Sequence, residues 1–278
     1  MSIKQELKTI NELEYLEVSN SKSSIKIAPQ GAHIFDFQVK GKAPLLFLSD
    51  TSHFKAGKAI RGGVPICWPW FGAHTTDNSL PNHGFARTSI WTHVSTEEID
   101  KNATKIILEL KSSAETKKLW PYDFVLQLEI LMSEKLEISL ISKNTGSEPF
   151  VITQALHTYL LIEDISSVCI EGLDGTKYYD KLTDTYNNPQ QGKVCFNSEV
   201  DRVYEDVSKT LSVEALDVQT IGSNTVVVWN PGKDFKNNFS DLSEYRTMLC
   251  IESANTLNEA VTVEAGDSYL LKTILSQK

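Results

Sequence analysis

A few residues in this 278-residue chain combine a reactive side chain with a conspicuous setting. His157 is the lone imidazole in the strand-forming run TQALHTYLLIE. An imidazole titrates near neutral pH, so it can act as acid or base, or simply be a hydrogen-bonded structural residue. Glu252 closes the apolar run RTMLCIES. A carboxylate at the end of a buried strand must be paired, hydrogen-bonded or used. Asp201 and Arg202 interrupt the apolar VDRVY, where an ion pair within the strand would be of little consequence. Arg61 opens and Arg87 closes RGGVPICWPWFGAHTTDNSLPNHGFAR. Two guanidinium groups can clamp a phosphate bidentately, or each can pair with a carboxylate.

The stretch from Arg61 to Arg87 organises the chain. Its prolines and glycines rule out a helix, and it is too long and too aromatic for an ordinary exposed loop. From Thr51 to His93 there are four cations (Lys55, Lys58, Arg61, Arg87) and one anion (Asp77), a local 4 − 1 = +3 in a chain of net −9. The remainder therefore carries −12. His53, His74, His83 and His93 fall in the same window. An acidic protein with its cations gathered around one loop suits a small anion. A broad nucleic-acid surface is excluded by the net charge and a pI near 5.2.

Composition is that of a globular protein with a sizeable core, 41% hydrophobic and 23% charged. No run has the ~18 apolar residues of a membrane span, and the polar N-terminus lacks a secretion signal core. Cys67, Cys169, Cys195 and Cys250 are scattered without a CxxC pair, and we read them as reduced thiols of a cytoplasmic protein. No metal or nucleotide motif occurs, so the expected cofactor and metal complement is none.

The elements that must position these residues are strands. Ser24–Ala28 and His33–Val39 alternate apolar and polar residues around a Pro29-Gln30-Gly31 turn. Further strands are expected at Ile90–Ser95, Lys105–Lys111, Phe124–Met132, Leu136–Ile141 and on both sides of His157, at Phe150–Leu156 and Thr158–Ile162. Thr225–Trp229, Met248–Glu252 and Tyr269–Leu275 complete the set. Tyr178–Asn188 reads as a polar excursion at the sheet rim, and Ser240–Tyr245 as one short helix capped by Ser240. Residues 1–23 are either an edge strand or an extension. With no repeat and no linker, the expected organisation is one all-β domain over 1–278, a large antiparallel sandwich.

RGGVPICWPWFG, LPNHGFAR, LHTYL, VDRVY and IESAN, in that order, resemble the aldose 1-epimerase (mutarotase) superfamily. The two arginine-bearing words point to its hexose-6-phosphate branch. WPYDF, KNTGSEPF and EAGD extend the likeness over most of the chain from about Gln30. The resemblance implies a galactose-mutarotase-like β-supersandwich, a monomer, with the sugar on a concave face. It implies His157 as general acid and Glu252 as general base. It also places Arg61, Arg87 and Asp201 on the substrate, with Asn82 where relatives often carry Gln, and His83 in the pocket. Leu160, in place of an aromatic, is expected to reshape a pocket wall.

The implied reaction interconverts the α and β anomers of a hexose phosphate, glucose-6-phosphate first among them. Glu252 removes the C1 hydroxyl proton while protonated His157 supplies one to the ring oxygen, and a nearby carboxylate helps keep His157 charged. The rivals are an epimerase of unphosphorylated aldoses, which needs no arginine pair, and a non-catalytic sugar-phosphate sensor, which needs neither acid nor base.

Overall fold

The computed structural model describes residues 3–186 and 189–278. Antiparallel strands dominate. One seven-stranded sheet runs, in spatial order, Leu211–Val213, Leu216–Ile221, Ser268–Gln277, Lys135–Asn144, Phe124–Met132, Ala103–Lys111 and Thr92–Asp100. Phe124–Met132 shows why it forms: FVLQLEILM buries every second residue, so one face meets the core and the other the surface.

The eight-stranded sheet carries the site. Its main path is Thr185–Tyr186, Tyr178–Asp180, Val200–Tyr204, Thr225–Asn230, Met248–Asn255, Gln154–Leu156 and Ile66–Cys67, with Tyr159–Leu161 also paired to Met248–Asn255. Thr225–Asn230 and Met248–Asn255 are buried at every position. A strand covered on both faces reads as a continuous apolar run, as TVVVW does. Leu249 and Ile251 enter the main core, which also takes residues from the seven-stranded sheet.

A third sheet of four strands, Lys4–Ile10, Leu13–Ser19, Ser23–Ala28 and His33–Val39, resolves the role of the N-terminal residues. Lys4–Ile10 is a mostly exposed edge strand, whereas Leu16 and Val18 reach the main core. The polar excursion is also more regular than its composition indicates, since Tyr178–Asp180 and Thr185–Tyr186 pair with each other; Asn187 and Asn188 lie outside the described residues.

Two expectations are corrected. Ser240–Tyr245 is not helical; a 3-10 turn at Phe235–Asn237 precedes an irregular segment. Tertiary hydrogen bonds outweigh the local cap there, because Ser49 Oγ donates to the Asp241 carbonyl and accepts from Ser243 N–H. The one α-helix among the described residues is Ala114–Leu119, where Ser113 and Thr116 cap each other reciprocally ahead of good helix formers. Cys169 and Cys195 are not free thiols but a disulfide. They sit opposite each other on the ladder Cys169–Ile170 with Val194–Cys195, a neighbourhood that a separation of 26 residues conceals. Cys67 and Cys250 are free and buried.

Candidate active site

Register builds the site. Asp201 lies opposite Trp229, Trp229 opposite Cys250, and Cys250 opposite Tyr159, one row across four strands. Side chains of a strand alternate in direction, so Glu252, two residues beyond Cys250, shares that row's face. His157 falls in the gap between Gln154–Leu156 and Tyr159–Leu161. There the chain turns tightly, with Thr158 N–H bonded to the Leu156 carbonyl at 2.9 Å and His157 N–H to Pro65 at 3.0 Å.

This geometry brings His157 Nε2 to 3.4 Å from Glu252 Oε1. The carboxylate is 2% exposed and the histidine 9%. Burial raises Glu252 well above the usual carboxylate range, against the opposing pull of Lys181. Burial also drives His157 well below the usual imidazole range, helped by His83, Arg87 and Arg61. Glu252 therefore does not keep His157 charged, contrary to expectation: desolvation and the surrounding positive groups prevail. Each charge taken alone is disfavoured, so the two groups gain or lose charge as a pair. His157 Nδ1, Glu252 Oε2 and Asp201 Oδ1 are buried without a hydrogen-bond partner among the described residues. Buried polar atoms are normally bonded, so three orphans in one place mark where a ligand's polar groups belong.

They border a recess of about 130 Å³ lined by Arg61, Phe71, His83, His157, Lys181, Asp201, Trp229, Phe239 and Glu252. A roomier hollow of about 590 Å³ includes Asp164 and Arg246, but these pair with each other at 2.6 Å and it holds no orphaned buried atom. Among the described residues no cluster of three His, Cys, Asp or Glu side chains could hold a metal ion.

The predicted binding residues fall into two groups. Arg61, His83 and Asp201 line the recess; Asn82 and Arg87 do not. Arg61 is already engaged. It meets both carboxylate oxygens of Asp241 at 3.2 and 3.1 Å, donates to Tyr159 Oη at 3.0 Å, and lies over the Phe239 ring at 5.2 Å. Arg87 donates to the Asn82 carbonyl at 2.7 Å, and its charge pulls the pKa of both His157 and Glu252 downward. Asn82 itself is exposed. His83 Nδ1 accepts from Gly72 N–H at 3.2 Å, so its neutral ring carries its proton on Nε2; burial holds its pKa down to about 3.

Lys181 is the residue the sequence conceals. It lines the recess, pairs with Asp201 at 3.1 Å and lies over Phe71 at 5.4 Å. It belongs to the polar excursion, outside the basic window, and no motif flags it. Lys55 and Lys58, which are in the window, are exposed on the surface.

The aldose 1-epimerase family profile matches residues 14–276. This chain is a member of the aldose 1-epimerase family. It is 36% identical over 275 residues, 95% of its length and 91% of the relative's, to an Escherichia coli K12 protein named "Putative glucose-6-phosphate 1-epimerase". A Salmonella typhimurium protein of the same name is 33% identical over 97% of this chain and 92% of its own. Among solved structures, one titled as a putative mutarotase from Salmonella typhimurium superposes with a TM-score of 0.91 at 30% identity, covering 99% of this chain and 94% of the other. The fold is galactose-mutarotase-like, and the enzyme is an isomerase that interconverts sugar anomers. In this epimerase Leu160 does not shape the pocket: it packs in the main core, while Tyr159 packs behind the recess against His157 and Arg61.

Proposed function

We propose that the enzyme is a hexose-6-phosphate 1-epimerase acting on glucose-6-phosphate. The observation carrying this reading is the buried His157–Glu252 pair, its outer atoms unpartnered, in a recess edged by Arg61 and Lys181 with Arg87 close enough to act on the pair.

A pair holding one proton contains one acid and one base in either arrangement. Glu252 as carboxylate takes the C1 hydroxyl proton while imidazolium His157 protonates the ring oxygen. The hemiacetal opens and leaves a neutral pair facing the aldehyde. The C1–C2 bond turns, and attack on the other carbonyl face returns each proton. Each half-turnover interconverts the two arrangements, and burial makes the neutral one accessible. Each proton transfer contributes ~10²–10⁴-fold. His83, as a neutral Nε2–H donor, and Asp201, as an acceptor, would bind ring hydroxyls. Arg61, Arg87 and Lys181 would hold the phosphate, a remote handle that orients the ring. We assign Asn82 the lesser role of bracing Arg87 through its carbonyl.

The occupation of Arg61 by Asp241 and Tyr159 favours the second reading, an epimerase of unphosphorylated aldoses. Exchange rates of glucose-6-phosphate, other hexose-6-phosphates and free glucose, measured with the same enzyme, decide between them. Preference for the phosphorylated sugars supports the first reading, and equal acceleration supports the second. We take the active form to be a monomer in the cytoplasm.

A further inference from the structure

His157 lacks the support that usually orients a working histidine. Commonly one ring nitrogen is fixed by a carboxylate or carbonyl, which sets the ring's orientation for the other. Here Nδ1 has no partner among the described residues, and Nε2 meets only Glu252, itself assigned to the reaction. Something else must hold the ring's plane.

Aromatic neighbours do so. Tyr159 lies parallel to His157, interplanar angle 8° and centroids 4.9 Å apart, while Trp229 stands edge-on to both at 84° and 86°. The tight turn at Thr158 brings residues 157 and 159 into this stack. Tyr159 is itself anchored: its N–H bonds Gly63, its carbonyl accepts from Phe47 N–H, and its hydroxyl accepts from Arg61. It does not line the recess. We infer that Tyr159 is a positioning residue, whose ring sets the plane of His157 and whose hydroxyl ties that ring to Arg61. The face of its ring also stabilises the imidazolium that forms in half of each turnover. Asp241, Arg61, Tyr159 and His157 thus form one chain from the candidate phosphate handle to the acid–base pair, which links this inference to the function proposed above.

The test compares Tyr159→Phe with Tyr159→Leu. Phe keeps the stack and loses the bond from Arg61, so kcat should stay within about fivefold of wild type while KM for glucose-6-phosphate rises. Leu loses both, and kcat should fall about a hundredfold, the scale of a small misplacement, with a smaller change in KM. Equal losses for Phe and Leu, or a Leu variant with wild-type kcat, would overturn the assignment. A second readout needs neither turnover nor the Leu variant. The His157 Hε1 proton signal should be moved upfield by the parallel ring in wild type and in Tyr159→Phe; an unshifted signal in wild type would overturn it as well. If no sugar is turned over, the functional proposal fails and the magnetic-resonance readout still decides the role of Tyr159.

Discussion

At the scale of residues, the proposed mechanism makes activity depend on the proton count of one pair. A second proton on the His157–Glu252 pair removes the base, and loss of the only proton removes the acid. kcat/KM should therefore be bell-shaped in pH, and a flat profile would contradict proton sharing. The charged handle is separable from this chemistry. Arg87→Ala should raise KM for glucose-6-phosphate by about tenfold or more, the worth of one charge-assisted hydrogen bond, and raise KM for free glucose far less, while the loss of its charge shifts the pH profile with both sugars. Equal losses on both sugars would make Arg87 structural. The recess residues His157, Glu252, Arg61, His83 and Asp201 were all legible through short words in fixed order. Lys181 was not, because a cation delivered by a polar excursion leaves no local pattern. The state of His157 was misread as well: a neighbouring carboxylate is visible in sequence, whereas desolvation and the approach of Arg61, Arg87 and His83 are three-dimensional facts.

At the scale of elements, close backbone approach holds the long loop in shape. Gly84 has φ +69°, and a Cβ there would lie 1.9 Å from the Trp68 carbonyl oxygen. Gly84→Ala should cost more than about 2 kcal/mol in denaturant unfolding and loosen Arg87, three residues on; a loss under 0.5 kcal/mol would contradict this. The disulfide closes a 26-residue separation around the segment bearing Lys181, so Cys169→Ser with Cys195→Ser should cost about 3 kcal/mol. Strand existence was legible because alternation and β-branched runs report burial directly. Phe124–Met132 and His33–Val39 match their expected limits to the residue. The expected helix at Ser240–Tyr245 failed because Ser49 and Arg61, nearly two hundred positions away, claim that segment's polar groups.

At the scale of the molecule, the main core draws on the four-, seven- and eight-stranded sheets, from Leu16 to Leu275. We propose one domain, and expect a single cooperative unfolding transition; two separated transitions would divide it. Buried neutral histidines should make its stability sensitive to acid. His33, 1% exposed with its pKa lowered by burial to about 4, and His157, held well below its ordinary value, take up protons below about pH 6.5 only when the chain unfolds. Stability should thus fall between pH 6.5 and 4, by up to ~1.4 kcal/mol per pH unit for each histidine, in urea titrations. Glu252 acts in the opposite direction: its raised pKa lets the folded state keep a proton above the ordinary carboxylate range, so its contribution declines as pH rises. The basic window was a fair pointer to the site but overcounted it, since Lys55 and Lys58 lie on the surface. The central claim is that Glu252, taking the C1 hydroxyl proton, and His157, protonating the ring oxygen, open the ring. Its most direct test is α-to-β exchange of glucose-6-phosphate by magnetic resonance, for wild type and Glu252→Gln, beside binding of the same sugar. We predict strong acceleration by wild type, a loss of at least a hundredfold in the variant, and binding retained within a few fold. A Glu252→Gln enzyme exchanging at the wild-type rate would contradict the account.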